Sequence, residues 1–151
     1  MEDEFYTVTG GWDYIRVPLI KPYEVKKVDP KVETNGWGIK LYSNLFQVDR
    51  AKRVDVRDSV IYVISGEVNE IKDLTAIGTR NVSTAWFIID VRTKTEKGFS
   101  SEEEFKAYIK ENNYQAPHWH DIDSLSEELG KKGKVPWIPK GFLWAKMLMG
   151  H

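Results

Sequence analysis

The sequence predicts an α+β fold. It should form a single domain over residues 1–151, in which a mainly antiparallel β-sheet of about five to seven strands carries one principal helix on one face, followed by short C-terminal helices. Three observations lead there. Apolar and polar residues alternate in short runs through about the first hundred positions, the period of strands with one covered face. Two further runs are apolar on both faces, as central strands are. The clearest helix start, a Ser followed three residues later by a Glu, comes only after those strands.

Taken in order, Ile15, Val17 and Leu19 alternate with Tyr14, Arg16 and Pro18 and make a first strand. Pro18 and Pro22 place it at an edge or near its end, because proline has no N–H to give a ladder. After Pro30, Asn35 and Gly36, the residues Trp37, Ile39 and Leu41 alternate with Gly38, Lys40 and Tyr42 as a second strand. Residues 45–48 and 53–56 are each long enough for a short strand, with Val54 and Val56 on one face and Arg53, Asp55 and Arg57 on a solvated one. Val60-Ile61-Tyr62-Val63-Ile64 and Ala85-Trp86-Phe87-Ile88-Ile89 are the doubly apolar runs and should form the spine of the sheet. Residues 67–84 between them, with scattered Gly and Asn and a weak apolar pattern, read as a loop.

Residues 92–99 read as a polar turn and a short return strand. Ser101-Glu102-Glu103-Glu104 then has the form of a capping box: a Ser oxygen accepts from an exposed N–H of the first turn, and acidic side chains suit the positive helix end. Phe105, Tyr108 and Ile109 fall at i, i+3 and i+4, one stripe of a helix that closes near Asn112-Asn113. Ile122, Leu125 and Leu129 mark a second helix, capped by Asp121 or Ser124 and stopped at Gly130. In the tail, Leu143 and Met147, and Trp144 and Leu148, stand four apart, the spacing of a last helical turn or two.

Charge and composition exclude several functions. With 22 Lys+Arg against 23 Asp+Glu the formal charge is −1, so no global field draws the chain to nucleic acid or an anionic membrane. The absence of cysteine removes thiol nucleophiles, disulfides, Fe–S clusters and Cys-containing zinc sites. Met1-Glu2-Asp3-Glu4-Phe5 lacks the positive start and apolar run of a secretory signal, and no apolar run approaches the roughly 18 residues of a membrane span. A cytoplasmic protein with no membrane and no nucleic-acid partner is expected, its oligomeric state left open. The basic run at 50–57 is diluted by Asp49, Asp55 and Asp58 and reads as a solvated sheet face.

The stretch Pro117-His118-Trp119-His120-Asp121-Ile122-Asp123 holds two of the three histidines. Imidazole and carboxylate ligands suit Zn²⁺ or Mn²⁺, which makes His118, His120 and Asp121 the candidate centre of a metal-dependent hydrolase or nuclease. Set against the His-x-His-x-Asp-His run of binuclear metallo-hydrolases, however, Ile122 stands where an Asp is needed and Asp123 where a His is needed. Helix capping by Asp121 explains the same residues with fewer assumptions, so no metal and no other cofactor is expected.

Residues 13–25 (Asp13-Tyr14-Ile15-Arg16-Val17-Pro18-Leu19-Ile20-Lys21-Pro22-Tyr23-Glu24-Val25), and Trp86-Phe87-Ile88-Ile89-Asp90 with Glu96-Lys97-Gly98-Phe99 and the helix over 101–109, resemble small uncharacterised bacterial proteins, some of them regarded as immunity proteins encoded beside secreted toxins. The likeness runs from residue 13 to 114 and rests on strand and capping patterns, so it implies a fold type and a role but no site residues. That role is non-catalytic protein binding, with a cognate toxin as partner. With 6 Trp, 7 Tyr and 6 Phe, some aromatic rings are available as binding anchors, and Trp119, Trp137 and Trp144 are the candidates because they lie in Pro-punctuated segments; capping the core is the equal alternative. Besides the metal-dependent enzyme, a structural or accessory subunit of a bacterial or phage assembly is the remaining reading.

Overall fold

A computed structural model describes residues 4–6, 10, 14–28, 36–42, 47–48, 50–66, 71–72, 79–80 and 84–137. Along the chain the strands are β1 (Tyr14–Pro18), β2 (Glu24–Val28), β3 (Gly38–Lys40), β4 (Gln47–Val48), β5 (Ala51–Arg57), β6 (Val60–Gly66), β7 (Ile71–Lys72), β8 (Thr79–Arg80), β9 (Thr84–Asp90), β10 (Thr95–Phe99) and β11 (His120–Asp121). Two helices, α1 (Glu102–Glu111) and α2 (Ile122–Lys132), complete the described secondary structure apart from a short 3₁₀ turn at Glu4–Tyr6. The fold is α+β and every strand pairing is antiparallel.

The strands divide between a four-stranded sheet, β1-β2-β3-β4, a five-stranded sheet, β10-β9-β6-β5-β11, and the small ribbon β7-β8. A single sheet was expected; the chain makes two because the five-stranded one is apolar on both faces and has to be covered on both. On one face Val60, Tyr62, Ile88 and Phe99 pack with Phe105 and Ile109 of α1. On the other Ile61, Val63, Phe87 and Ile89 share a core with Val17, Val25 and Ile39 of the four-stranded sheet and with Ile122, Leu125 and Leu129 of α2. Ile61 pairs with Ile89 and Val63 with Phe87, so β6 and β9 are the spine that their composition predicts. As Pro18 implies, β1 is an edge strand.

Strand β2 was not expected, because Glu24-Val25-Lys26-Lys27-Val28 shows little alternation by itself; pairing with β1 from Tyr14↔Val28 to Pro18↔Glu24 forms it. The segment 67–84, expected to be a loop, contains the ribbon in which Ile71 faces Arg80. In α1 the cap is as anticipated, Ser101 Oγ accepting from the Glu104 N–H at 3.4 Å. In α2 Asp121 is the cap, accepting from the Ser124 N–H at 3.1 Å. Gly130 does not stop that helix. The left-handed residue that ends it is Gly133, at φ 72°, whose N–H donates to the Leu129 carbonyl at 2.8 Å. The turns expected at 143–149 lie outside the described residues. No described helix is long and apolar enough to cross a membrane.

Two buried carboxylates lie close to the β9–β10 turn. Asp90, at the β9–β10 turn, is 1 % exposed and accepts from Tyr114 Oη at 2.7 Å, Ser59 Oγ at 3.3 Å and the N–H groups of Arg92 and Thr93. Burial pushes its pKa up, but those donors outweigh burial and the net shift is downward. Glu96, also buried, accepts from Tyr23 Oη and from the Tyr42 N–H at 2.8 Å, which ties β10 to the four-stranded sheet.

Candidate functional site

The histidine segment is held by a third such carboxylate. Asp55 on β5 is 3 % exposed; it accepts from the His118 N–H at 2.7 Å and from Arg57 Nε at 3.0 Å, and it lies 3.5 Å from His120 Nε2. The face carrying Asp55 was expected to be solvated. Arg53 on it is exposed, but Asp55 is covered because the chain after α1 returns across it: Tyr62 Oη donates to the Gln115 carbonyl at 2.6 Å and Gln115 Nε2 to Asp58 at 3.0 Å. Burial, helped by the negative charge of Asp55 and opposed by Arg57, pushes the Tyr62 phenol up to about 12. His120 and Asp121 then pair with Val54 and Arg53 as β11.

The candidate metal ligands are thus separated by other tasks. His118 is exposed and engaged through its backbone, the His120 ring stands edge-on to Trp137 with centroids 5.8 Å apart, and Asp121 caps α2. Among the described residues no group of three or more His, Asp or Glu side chains is arranged to hold a metal ion. Of the aromatic anchors, Trp119 is half-buried and stacked on Phe105 at 5.9 Å, and Trp137 is half-buried and donates its indole N–H to the Pro18 carbonyl at 3.0 Å. Trp144 lies outside the described residues.

A different place has the features of a built site. A cleft of 420 Å³ opens where the chain passes from the first sheet into the second, between that bend and the first turn of α2. Lys27, Arg50 and Lys52 line it together with Trp37, Asp121 and Asp123. Arg50 adopts φ 54°, in the left-handed region that costs an L-residue about 1–2 kcal/mol. The bend is pinned on both sides: the Ala51 N–H donates to the Trp37 carbonyl at 2.9 Å and the Gly66 N–H to the Arg50 carbonyl at 3.1 Å. One residue later the β5–β6 register shifts between Ala51 and Arg53, leaving Lys52 as the extra residue of a bulge.

Two glycines flank these cations. Gly36, at φ 60°, supplies a left-handed residue that packs beside Arg50 at ordinary contact distance. At Gly66 a Cβ would stand 2.7 Å from Lys52 Cε and 2.8 Å from Cδ, so the bare backbone there is the bed of the lysine stem. The floor is Trp37, 5 % exposed, whose indole N–H donates to Asp123 Oδ1 at 2.9 Å and whose ring lies 6.0 Å from the Lys27 ammonium. Each cleft carboxylate therefore has an oxygen committed within the fold, Asp121 to its cap and Asp123 to the indole. Among the described residues the lining carries Lys27, Arg50 and Lys52 beside Asp121 and Asp123, with the positive end of α2 at its edge.

Sequence reasoning noticed the basic run but fixed on Arg53 and Arg57, which alternation places together; Arg50 and Lys52 are brought to the cleft by a left-handed residue and a bulge, which alternation does not reveal. The available signal was Gly66, whose missing side chain matters here for the Lys52 stem that lies against it. No protein-family model, no curated protein and no solved structure matches the chain.

Proposed function

We propose that the protein acts by binding another protein, without chemistry of its own, and that it neutralises a toxin in the bacterial cytoplasm. The observation that carries the binding reading is the cleft: Arg50 is held in a costly backbone conformation and Lys52 on a bulge, both beside a buried Trp whose polar edge is already satisfied. The backbone hydrogen bonds on either side of Arg50 leave little main-chain freedom to be lost there on association. The toxin setting is supported by the resemblance over residues 13–114.

The test is growth rescue. The product of the gene immediately upstream is expressed in a bacterial host with and without this chain, and the pair is then co-purified. Growth arrest by that product alone, relieved by co-expression and accompanied by a stable complex on size-exclusion chromatography, is the expected result. An inert upstream product, or arrest that co-expression does not relieve, overturns the neutralising role.

A further inference from the structure

We infer that residues 115–121 form a pH-responsive clasp, in which a proton on His120 tightens the hold of β11 on the buried Asp55. The two oxygens of Asp55, which is 3 % exposed, are used differently: Oδ2 accepts from the His118 N–H at 2.7 Å and from Arg57 Nε at 3.0 Å, whereas Oδ1 faces His120 Nε2 at 3.5 Å. At that distance a neutral imidazole makes only a weak contact, while an imidazolium makes an ion pair with a carboxylate shielded from water. Imidazole ordinarily takes up its proton at about pH 6.5, so the pair forms on the acid side of neutrality and lapses above it. The clasp stands where a modest change counts. Strand β11 is two residues long, His120 opposite Val54 and Asp121 opposite Arg53, and it lies at the edge of its sheet, so its ladder holds it weakly. Asp121 is also the cap of α2, and the His120 ring stands edge-on to Trp137, whose indole N–H reaches the Pro18 carbonyl of β1. Tightening at His120 therefore steadies the start of α2 and the segment that ties it to the other sheet.

The surrounding groups set the sign. From β5, Arg57 opposes a charge on His120 but is engaged on the far oxygen of Asp55, and Arg53 is exposed opposite Asp121. From β6, the Tyr62 phenol is pushed up to about 12 and stays neutral. The positive end of α2 also opposes the proton, but Asp121 caps it and Asp123 adds a negative charge to the same turn. From the residues after α2, Trp137 brings an uncharged ring, and Lys134 is exposed, as is His118 on the clasp itself. Among the described residues Asp55 is the charged group within ion-pair distance of His120. The His120 side chain is 35 % exposed, so solvent screens the pair and holds the effect to severalfold.

The experiment is amide hydrogen exchange of the full chain at about pH 5.5 and about pH 7.5, on either side of the imidazole value and each corrected for intrinsic exchange, in wild type, His120→Gln, His118→Gln and His120→Lys. Both conditions lie above the ordinary carboxylate range and below the phenol range, so imidazole is the side chain whose charge changes between them. Protection of the amides at 118 and 120 should rise about fivefold at the lower pH in wild type, the upper worth of a partly exposed ion pair. The same rise is expected in His118→Gln, because that ring is exposed and only its backbone meets Asp55, and no rise is expected in His120→Gln. His120→Lys, charged under both conditions, should hold the raised protection at both. No rise in wild type, a rise kept in His120→Gln, or a rise lost in His118→Gln overturns the clasp. Melting temperatures check that His120→Gln folds; if it does not, His120→Lys decides, and a pH dependence there equal to that of wild type overturns the clasp.

Discussion

Replacing Arg50 by Gly should leave the protein as stable as before or more so, because glycine adopts the backbone conformation there without strain. At φ 54° an L-residue pays about 1–2 kcal/mol that glycine does not. Glycine gives back about 0.4–1 kcal/mol through the added freedom of the unfolded chain. The net expectation is a gain of about 0.5 kcal/mol, or about 1–2 °C in melting temperature for a domain of this size. Urea unfolding followed by far-UV circular dichroism reads it as a higher midpoint at unchanged slope. Arg50→Val, which places a β-branched residue in the same conformation, should instead lose about 1 kcal/mol or more. The half-buried arginine stem passes close to Gly36, so a competing possibility is that it props the bend open. If Arg50→Gly destabilises by more than about 1 kcal/mol, the side chain is a structural prop and the strain is not evidence of a binding role.

Gly130→Ala should stabilise by about 0.5–1 kcal/mol in the same denaturation assay, because the residue lies inside α2 and a Cβ there would meet nothing within 4 Å. Gly66→Ala should change stability by less than about 1 kcal/mol, since the atoms its Cβ meets are the far end of a flexible lysine that can move aside. Tyr62 remains neutral in the fold up to about 12 but ionises near 10 when unfolded; its contribution is therefore complete below pH 10 and lost between 10 and 12, so alkaline melts of Tyr62→Phe should lack part of the wild-type decline. For Asp90 the sign reverses: its lowered pKa contributes stability above the unfolded value of about 3.9 that disappears as pH falls through the lower folded value, and acid titration of Asp90→Asn should show a shallower loss over that window.

What could be read in the letters was the part of the fold whose causes are local. The doubly apolar β6 and β9, the return strand β10 and the Ser101 cap each follow from a few neighbouring residues, and all fell where periodicity and capping put them. Strand β2 has almost no pattern of its own and exists because β1 offers it a complete register. The end of α2 was misplaced by three residues because two glycines competed for it, and only the left-handed geometry of Gly133 decides between them. Asp55 was assigned the correct strand face and the wrong solvation, since nothing within residues 50–57 announces that residues 115–120 will come back to cover it. The cleft failed to appear for a similar reason: its two principal cations reach it by departures from strand geometry, and its acidic wall arrives from about seventy positions away, in the segment that had been weighed as a metal site or a helix cap.

Those departures carry unequal weight, and comparing them shows why the bend matters. Asp58, Lys94 and Asn113 also have positive φ, but Asp58 and Lys94 lie in the turns that close the β5–β6 and β9–β10 hairpins and Asn113 follows the cap of α1, places where the chain reverses or a helix ends. Arg50 closes no hairpin and ends no helix. It stands where β4 of one sheet leads into β5 of the other, a passage that Gly or Asn would make at lower cost. The bulge at Lys52 immediately after it aims a second cation into the same space, and Gly66, across the ladder, is bare where the lysine stem must lie. The bend, the bulge and the glycine on the neighbouring strand form one local arrangement, and it is the one on which the protein-binding proposal rests.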